Sequence, residues 1–134
     1  MLGRKDYTRG ELERARTTVV AQLMAWRSLA AAHPSADVEV VYFNAVTLAL
    51  DRSFVHRSRA VTGKDGNPLN ELELIAESLL DNDGVMRGSN VIRYIPGAAV
   101  VRLRPGDPIR LTANDFERLS TAVLAELEAR FVTG

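Results

Sequence analysis

The feature of this sequence that most limits its fold is the recurrence of apolar residues every three or four positions. In the first such stretch the recurring residues are Leu12, Val19, Leu23, Trp26 and Ala30. Thr8 and Glu11 precede it with the spacing of a capping box, in which hydroxyl and carboxylate each satisfy a free backbone N–H. His33 and Pro34 follow it, and the residue before a proline disfavours helix. The pattern predicts an amphipathic helix over residues 9–32.

A second helix is predicted over residues 37–62, with Ser35 as its cap. One face carries Phe43, Val46, Leu50, Phe54 and Val61. A second apolar strip lies on nearly the opposite side and consists of Val41, Leu48 and Val55. A helix with two apolar sides is either central in its own domain or half of an oligomer interface. Residues 38–43 are rich in β-forming residues, so a strand there is the alternative.

The second half of the chain changes its period. Asn67 caps a third helix over residues 68–82, with Pro68 in the first helical position, where proline is favoured. From residue 90 apolar and polar residues alternate, which predicts strands over residues 91–95, 100–104 and 109–111. A final helix follows over residues 113–132. The expected fold is therefore α+β and mainly helical: two long antiparallel helices, a shorter third helix, a small antiparallel meander and a C-terminal helix.

Composition limits the class of protein. The chain has 134 residues, which favours a single domain, and it has no cysteine, which excludes disulfides and Cys-ligated metal sites. Lysine and arginine total 17, as do aspartate and glutamate, so the net charge is zero. No window approaches the ~20 apolar residues of a membrane span. We expect a cytoplasmic protein without a membrane contact, and no motif predicts a cofactor or a catalytic residue.

Two stretches carry a resemblance. They are VTGKDGNPLNELELIAES, which begins at Val61, and GDPIRLTANDFERLS, which begins at Gly106. They resemble a small bacterial protein family without an assigned activity. The resemblance implies a self-contained domain and assigns no functional residues.

One candidate site is a cationic patch on the second helix. Arg52, His56 and Arg59 lie on one side of that helix, and Lys64 follows in a glycine-bounded turn. Arginine offers a planar set of donors that suits carboxylates and phosphates. These four residues are the predicted binding site for a small anionic ligand. The alternative is that they pair with acidic residues inside the fold, and His56 is also the one plausible partner for a metal held by Glu73, Glu77 and Asp81.

A second candidate site is the predicted hairpin. Between Val85 and Leu111 there are five arginines and one aspartate. The alternation places Arg93, Arg102 and Arg104 on one face, where they could contact nucleic-acid phosphates or an acidic partner. The neutral chain and the acidic third helix argue against nucleic acid. Arginines that protect a strand edge against pairing explain the pattern without any ligand.

The first functional hypothesis is a non-enzymatic interaction domain that forms a homodimer through the second helix. This hypothesis is based on the second apolar strip of the second helix, which a chain of this size does not readily cover alone. The alternatives are a binder of small anions, possibly an enzyme, and a nucleic-acid contact through the arginine hairpin.

Overall fold

The computed structural model describes residues 7–54 and 66–131. Within these residues the chain forms four α-helices and one short 3₁₀ turn. The helices are α1 (Arg9–Ala32), α2 (Ala36–Ser53), α3 (Pro68–Asp81) and α4 (Ala113–Phe131), and the 3₁₀ turn spans Pro96–Ala98.

The starts of the first three helices are fixed by local hydrogen bonds. The Thr8 hydroxyl accepts from the Glu11 N–H at 3.1 Å, and the Glu11 carboxylate accepts from the Thr8 N–H at 3.0 Å. The Ser35 hydroxyl accepts from the Val38 N–H at 3.3 Å. Asn67 Oδ1 accepts from Leu69 and Asn70. Each predicted cap is confirmed, because such a bond needs residues only two or three positions apart.

The second helix is shorter than predicted. It ends at Ser53, where the Phe54 N–H donates to the Asp51 carbonyl at 3.1 Å. The prediction of one continuous helix over residues 37–62 is therefore wrong at Phe54, and residues 55–62 lie outside the described residues. The strand considered for residues 38–43 is also wrong, since those residues lie in α2.

The central helix is α3, which contacts both α2 and α4. Every residue from Leu69 to Ala76 is buried, whereas α1 and α2 bury one face each. Helix α4 contacts the other three helices and closes the core around α3. The centre of the fold therefore lies at α3, and α2 stands at the edge with one face outward.

The inner face of α2 holds an aromatic cluster. Phe43 is fully buried, and its ring lies 5.0–5.7 Å from the rings of Tyr42, Trp26 and Phe116. The Tyr42 hydroxyl donates to the Gln22 carbonyl at 3.1 Å. The cluster joins α1, α2 and α4, so the predicted apolar face of α2 is confirmed as a core face as far as Phe54, and Val61 lies outside the described residues.

The predicted α+β class is wrong for the described residues, which contain four helices and no sheet. Residues 91–95, 100–104 and 109–111 form no strands. The chain does reverse at the 3₁₀ turn, and an isolated bridge joins Val85 to Pro108. The segment of the predicted meander is thus a loop that lies on α3 and reverses direction at the 3₁₀ turn.

The loop forms no strand ladder because helix side chains take several of its backbone N–H groups. Glu71 accepts from Val100 and Val101, at 2.9 and 2.8 Å. Ser78 of α3 accepts from the Arg87 N–H, and Asn44 of α2 accepts from the Leu111 N–H. A backbone group bonded to a side chain cannot also serve a neighbouring strand. These distant side chains override the β-forming pattern.

Candidate interaction surfaces

Arg52 is the one residue of the predicted anion patch that lies in the described part of the chain. It is exposed on α2, and no ion pair of its side chain is found among the described residues. His56, Arg59 and Lys64 lie outside the described residues. The four-residue patch therefore stays a prediction.

The outward face of α2 carries exposed apolar side chains. We call Val38, Val41, Ala45 and Leu48 the α2 outer strip. Val38 is 51% exposed and Val41 is 71% exposed, while Leu48 is half-buried. Val41 and Leu48 were predicted from the sequence, and the third predicted member, Val55, lies outside the described residues. Exposed valines at this helical spacing form a surface that a single copy of the described fold leaves in water.

Charges of opposite sign mark the two ends of this strip. Asp37 stands in the first turn of α2, and its side chain is 97% exposed. Arg52 stands in the last turn. Each charge suits the helix dipole at its own end. The Arg110 guanidinium is 3.9 Å from the Asp37 carboxylate, a distance typical of a weak surface ion pair.

The second surface is formed by residues 85–111, which we call the arginine loop. Arg87, Arg93, Arg102 and Arg104 are all exposed, and no ion pair of these side chains is found among the described residues. Asp107 is half-buried, and its carboxylate accepts from the Arg104 N–H at 2.9 Å. The arginines therefore stand in water, as the alternation predicts.

Three side chains hold the two limbs of this loop against α3. Glu71 binds the backbone of Val100 and Val101, and Asn70 donates to the Arg93 carbonyl at 2.9 Å. The Tyr94 hydroxyl donates to the Leu103 carbonyl at 2.6 Å, which links one limb to the other. The Arg93 carbonyl belongs to this set of contacts, and Arg102 and Arg104 flank Leu103, so the backbone of all three predicted residues lies on limbs that these bonds hold.

The electrostatics of the loop centre on Glu71. This side chain is 2% exposed, and burial raises the pKa of its carboxyl above the usual value. Backbone N–H groups of Val101, Val100 and Arg102 act against that shift. Burial also raises the pKa of the Tyr94 hydroxyl, and the negative charge of Glu71 adds to the effect. Tyr94 therefore stays protonated and keeps donating to Leu103 at neutral pH.

Arg102 adopts an unusual backbone conformation. Its φ angle is +63°, in the left-handed region that glycine adopts without a steric cost. A non-glycine residue pays ~1–2 kcal/mol for this conformation. The hydrogen bonds from Val100 and Val101 to Glu71 hold the chain before Arg102, and the bond from Tyr94 to the Leu103 carbonyl holds it after. The loop thus keeps a strained arginine at a position where glycine fits better.

The acidic stripe of Glu73, Glu77 and Asp81 on α3 is solvated only at its C-terminal end, where Asp81 is exposed. Glu73 is 8% exposed and Glu77 is half-buried. Sequence reasoning missed Glu71, the acidic residue that organises the arginine loop. Its signal was a charged residue inside a continuous apolar run, since leucines stand at positions 69, 72 and 74. A charge in such a run needs hydrogen-bond partners from elsewhere in the fold.

Residues 7–54 and 66–131 contain neither a metal-binding cluster nor a membrane-spanning helix. In these ranges no three His, Asp or Glu side chains are grouped so that they could hold a metal ion. No helix in the same ranges is both long enough and apolar enough to cross a bilayer.

Comparison of the chain with protein-family models, with curated proteins and with solved structures finds no match. The resemblance to a small bacterial family therefore stays a prediction.

Proposed function

We propose that this chain is a non-enzymatic interaction domain that forms a homodimer through the α2 outer strip. The observation that carries the proposal is the exposure of Val38 and Val41 on a helix whose opposite face is part of the core. A helix needs one apolar face to pack in its own fold, so a second apolar face points to another contact.

A second copy suits this strip because the strip matches itself when reversed. The midpoint in sequence between Asp37 and Arg52 lies between residues 44 and 45. The midpoint between Val41 and Leu48 lies at the same place. Two α2 helices packed antiparallel about a two-fold axis at that point would place Val41 of each copy against Leu48 of the other. They would also place each Asp37 opposite an Arg52. A two-fold interface requires such self-complementarity.

Ala45 lies next to the proposed axis. Its small side chain lets two helices approach closely where they cross. A dimer would bury Val38 and Val41 of both copies, which makes four valines. Burial of each of these side chains would contribute ~1–2 kcal/mol to the free energy of association. That sum is similar to the lower range of the ~4–15 kcal/mol cost of association. We therefore expect a weak dimer that dissociates on dilution.

The test replaces Val41 with Asp. Because Val41 is 71% exposed, the substitution should leave the folded monomer intact and abolish the dimer. Val91→Asp is the matched control, since Val91 is 81% exposed on the arginine loop, away from α2. Sedimentation equilibrium over a wide range of protein concentration measures the association, and circular dichroism checks the fold.

Charge reversal tests the antiparallel arrangement. Asp37→Arg or Arg52→Asp alone would place like charges opposite each other and weaken the dimer roughly three- to tenfold at low salt. The double variant should restore the wild-type dissociation constant, because both pairs would again be opposite in sign. A double variant no better than either single variant would contradict the antiparallel arrangement.

Three results would overturn the proposal. The first is a wild-type chain that remains monomeric at high concentration. The second is a Val41→Asp variant that associates as the wild type does. The third is a dimer lost on Met24→Asp and not on Val41→Asp. Met24 is 64% exposed on α1, so that result would move the interface to α1.

The alternative function is binding of a small anionic ligand by Arg52, His56, Arg59 and Lys64. It is supported by the exposed position of Arg52 at the C-terminal end of α2. Phosphate should then raise the melting temperature of the wild-type chain and not of Arg59→Ala. The predicted cytoplasmic location is supported by the absence of cysteine, which suits a reducing compartment.

A further inference from the structure

We propose that the arginine loop binds the phosphate backbone of a nucleic acid, independently of base sequence. This contact would be separate from the α2 outer strip. Three features of the loop support this contact: its charge, the fixed course of its backbone and the burial of two acidic residues beneath it.

The charge of the loop is large for a neutral chain. Five arginines and Asp107 give residues 85–111 a net charge of +4, since 5 − 1 = 4, so the rest of the chain carries −4. Four of these arginines stand in water, and none of the four is neutralised by an acidic side chain among the described residues. A surface of this kind attracts a polyanion and releases the polyanion's bound counterions on contact.

The loop holds these charges on a fixed backbone. Its two limbs are bonded to Asn70 and Glu71 of α3, and Tyr94 ties one limb to the other. A preformed surface loses little conformational entropy on binding. Arg102 is kept at a φ angle of +63° although glycine would fit there without strain. Backbone strain retained at an exposed charged residue points to a role for that side chain in binding.

Two acidic residues of the third helix, Glu71 and Glu73, do not oppose this contact as the sequence suggests. Glu71 and Glu73 are both buried, so neither carboxylate faces a ligand on the loop. Glu71 directs its charge at loop N–H groups and thereby fixes the arginines. The main objection raised by the sequence therefore fails for these two residues.

A nucleic acid suits this surface better than an acidic protein does. A stable protein interface needs a packed apolar centre surrounded by polar residues. The loop exposes only two large apolar side chains among the described residues, Val91 and Ile95. Its exposed groups are mostly guanidinium groups, which match an array of phosphates.

The experiment measures binding of the full chain to a fluorescein-labelled DNA duplex by anisotropy at increasing salt. The variant is Arg102→Gly with Arg104→Ala, because glycine adopts the conformation of residue 102 and the loop should stay folded. The control is Arg14→Ala with Arg27→Ala, which removes two exposed arginines from α1, of which Arg27 is paired with Glu117. Thermal unfolding verifies the fold of both variants.

We expect the logarithm of the wild-type binding constant to fall with the logarithm of salt concentration with a slope of about −3 to −4, as for four phosphate contacts. In the loop variant the slope should decrease in size by about two, and binding at low salt should weaken at least tenfold. The control should bind like the wild type.

Three outcomes would overturn the proposal. The first is that the wild-type chain does not bind the duplex at low salt. The second is that the loop variant and the control lose binding equally. The third is that poly-glutamate competes with the duplex at equal charge concentration. The last result would assign the loop to an acidic protein. Because the α2 outer strip is intact in both variants, unchanged self-association in sedimentation would keep this test separate from that of the homodimer.

Discussion

The hydrogen bonds that Glu71 accepts hold the arginine loop in place on α3. The substitution Glu71→Gln tests this role directly. The two carboxylate oxygens accept from Val100 and Val101, at 2.9 and 2.8 Å. Glutamine has nearly the same shape, but it replaces one acceptor oxygen with an NH₂ group. A donor would then face a donor, and one backbone N–H of the loop would lose its partner.

The expected magnitude is the difference of two effects. A buried N–H left without an acceptor costs ~1–3 kcal/mol. Glutamine also removes a buried charge, and burial raises the pKa of the Glu71 carboxyl, so part of that cost is recovered. The net loss should be ~1–2 kcal/mol in the free energy of unfolding, or a melting temperature lower by roughly 4–8 °C for a chain of this length.

Two measurements follow the change. Denaturant unfolding gives the loss of stability, and amide hydrogen exchange reports the two N–H groups themselves. The amides of Val100 and Val101 should exchange faster in Glu71→Gln, while those inside α1 should change only as much as global stability does. Glu117→Gln is the control, because that side chain is half-exposed on α4. Wild-type stability together with unchanged exchange at Val100 and Val101 would refute the role given to Glu71.

Three further predictions follow from the same contacts. The pKa of the Glu71 carboxyl is higher in the folded than in the unfolded chain, so ionisation of this group opposes folding. The contribution of the Glu71 side chain to the free energy of unfolding is therefore fully present below about pH 4.5 and is lost as the pH rises through the raised pKa. Urea titrations at several pH values give the difference in the free energy of unfolding between the wild type and Glu71→Gln. This difference should decrease by at most ~1.4 kcal/mol per pH unit as the pH rises. Arg102→Gly should leave the free energy of unfolding unchanged or raise it by up to ~1 kcal/mol, because relief of the positive φ offsets the greater freedom of glycine in the unfolded chain; a clear loss in thermal unfolding would mean that the side chain supports the fold. Phe43→Ala should cost ~3–5 kcal/mol, since Phe43 is fully buried among three aromatic rings, and a loss below 1 kcal/mol in denaturant unfolding would contradict the core position of α2.

The sequence predicted features whose causes are local. The caps at Thr8, Ser35 and Asn67 involve bonds to residues two or three positions away, so their chemistry is visible in a short window. The core face of α2 follows from helical spacing alone. The exposure of Arg93 and Arg102 follows from alternation, because successive side chains of an extended chain point to opposite sides.

Alternation did not determine whether the extended segments pair with each other. The same pattern of inward Ile92 and outward Arg93 fits a strand in a sheet and a loop lying on a helix. The difference depends on which groups take the backbone N–H groups. Here the acceptors include Glu71, at a separation of 29 positions from Val100, and Asn44, at 67 positions from Leu111. No window of local sequence contains both partners.

The choice of the central helix was also made by the tertiary structure. Helical spacing predicts two apolar sides for α2, which makes α2 the candidate for the centre of the fold. Helix α3 is enclosed because α2, α4 and the arginine loop all lie against it, and its polar residues Asn70 and Glu71 find backbone partners in that loop. Helix α2 lacks such a cover on its outer side among the described residues. The sequence by itself determined where helices begin and which side chains avoid water, and only the tertiary structure decided which apolar face is enclosed, because burial depends on partners that are distant in the chain.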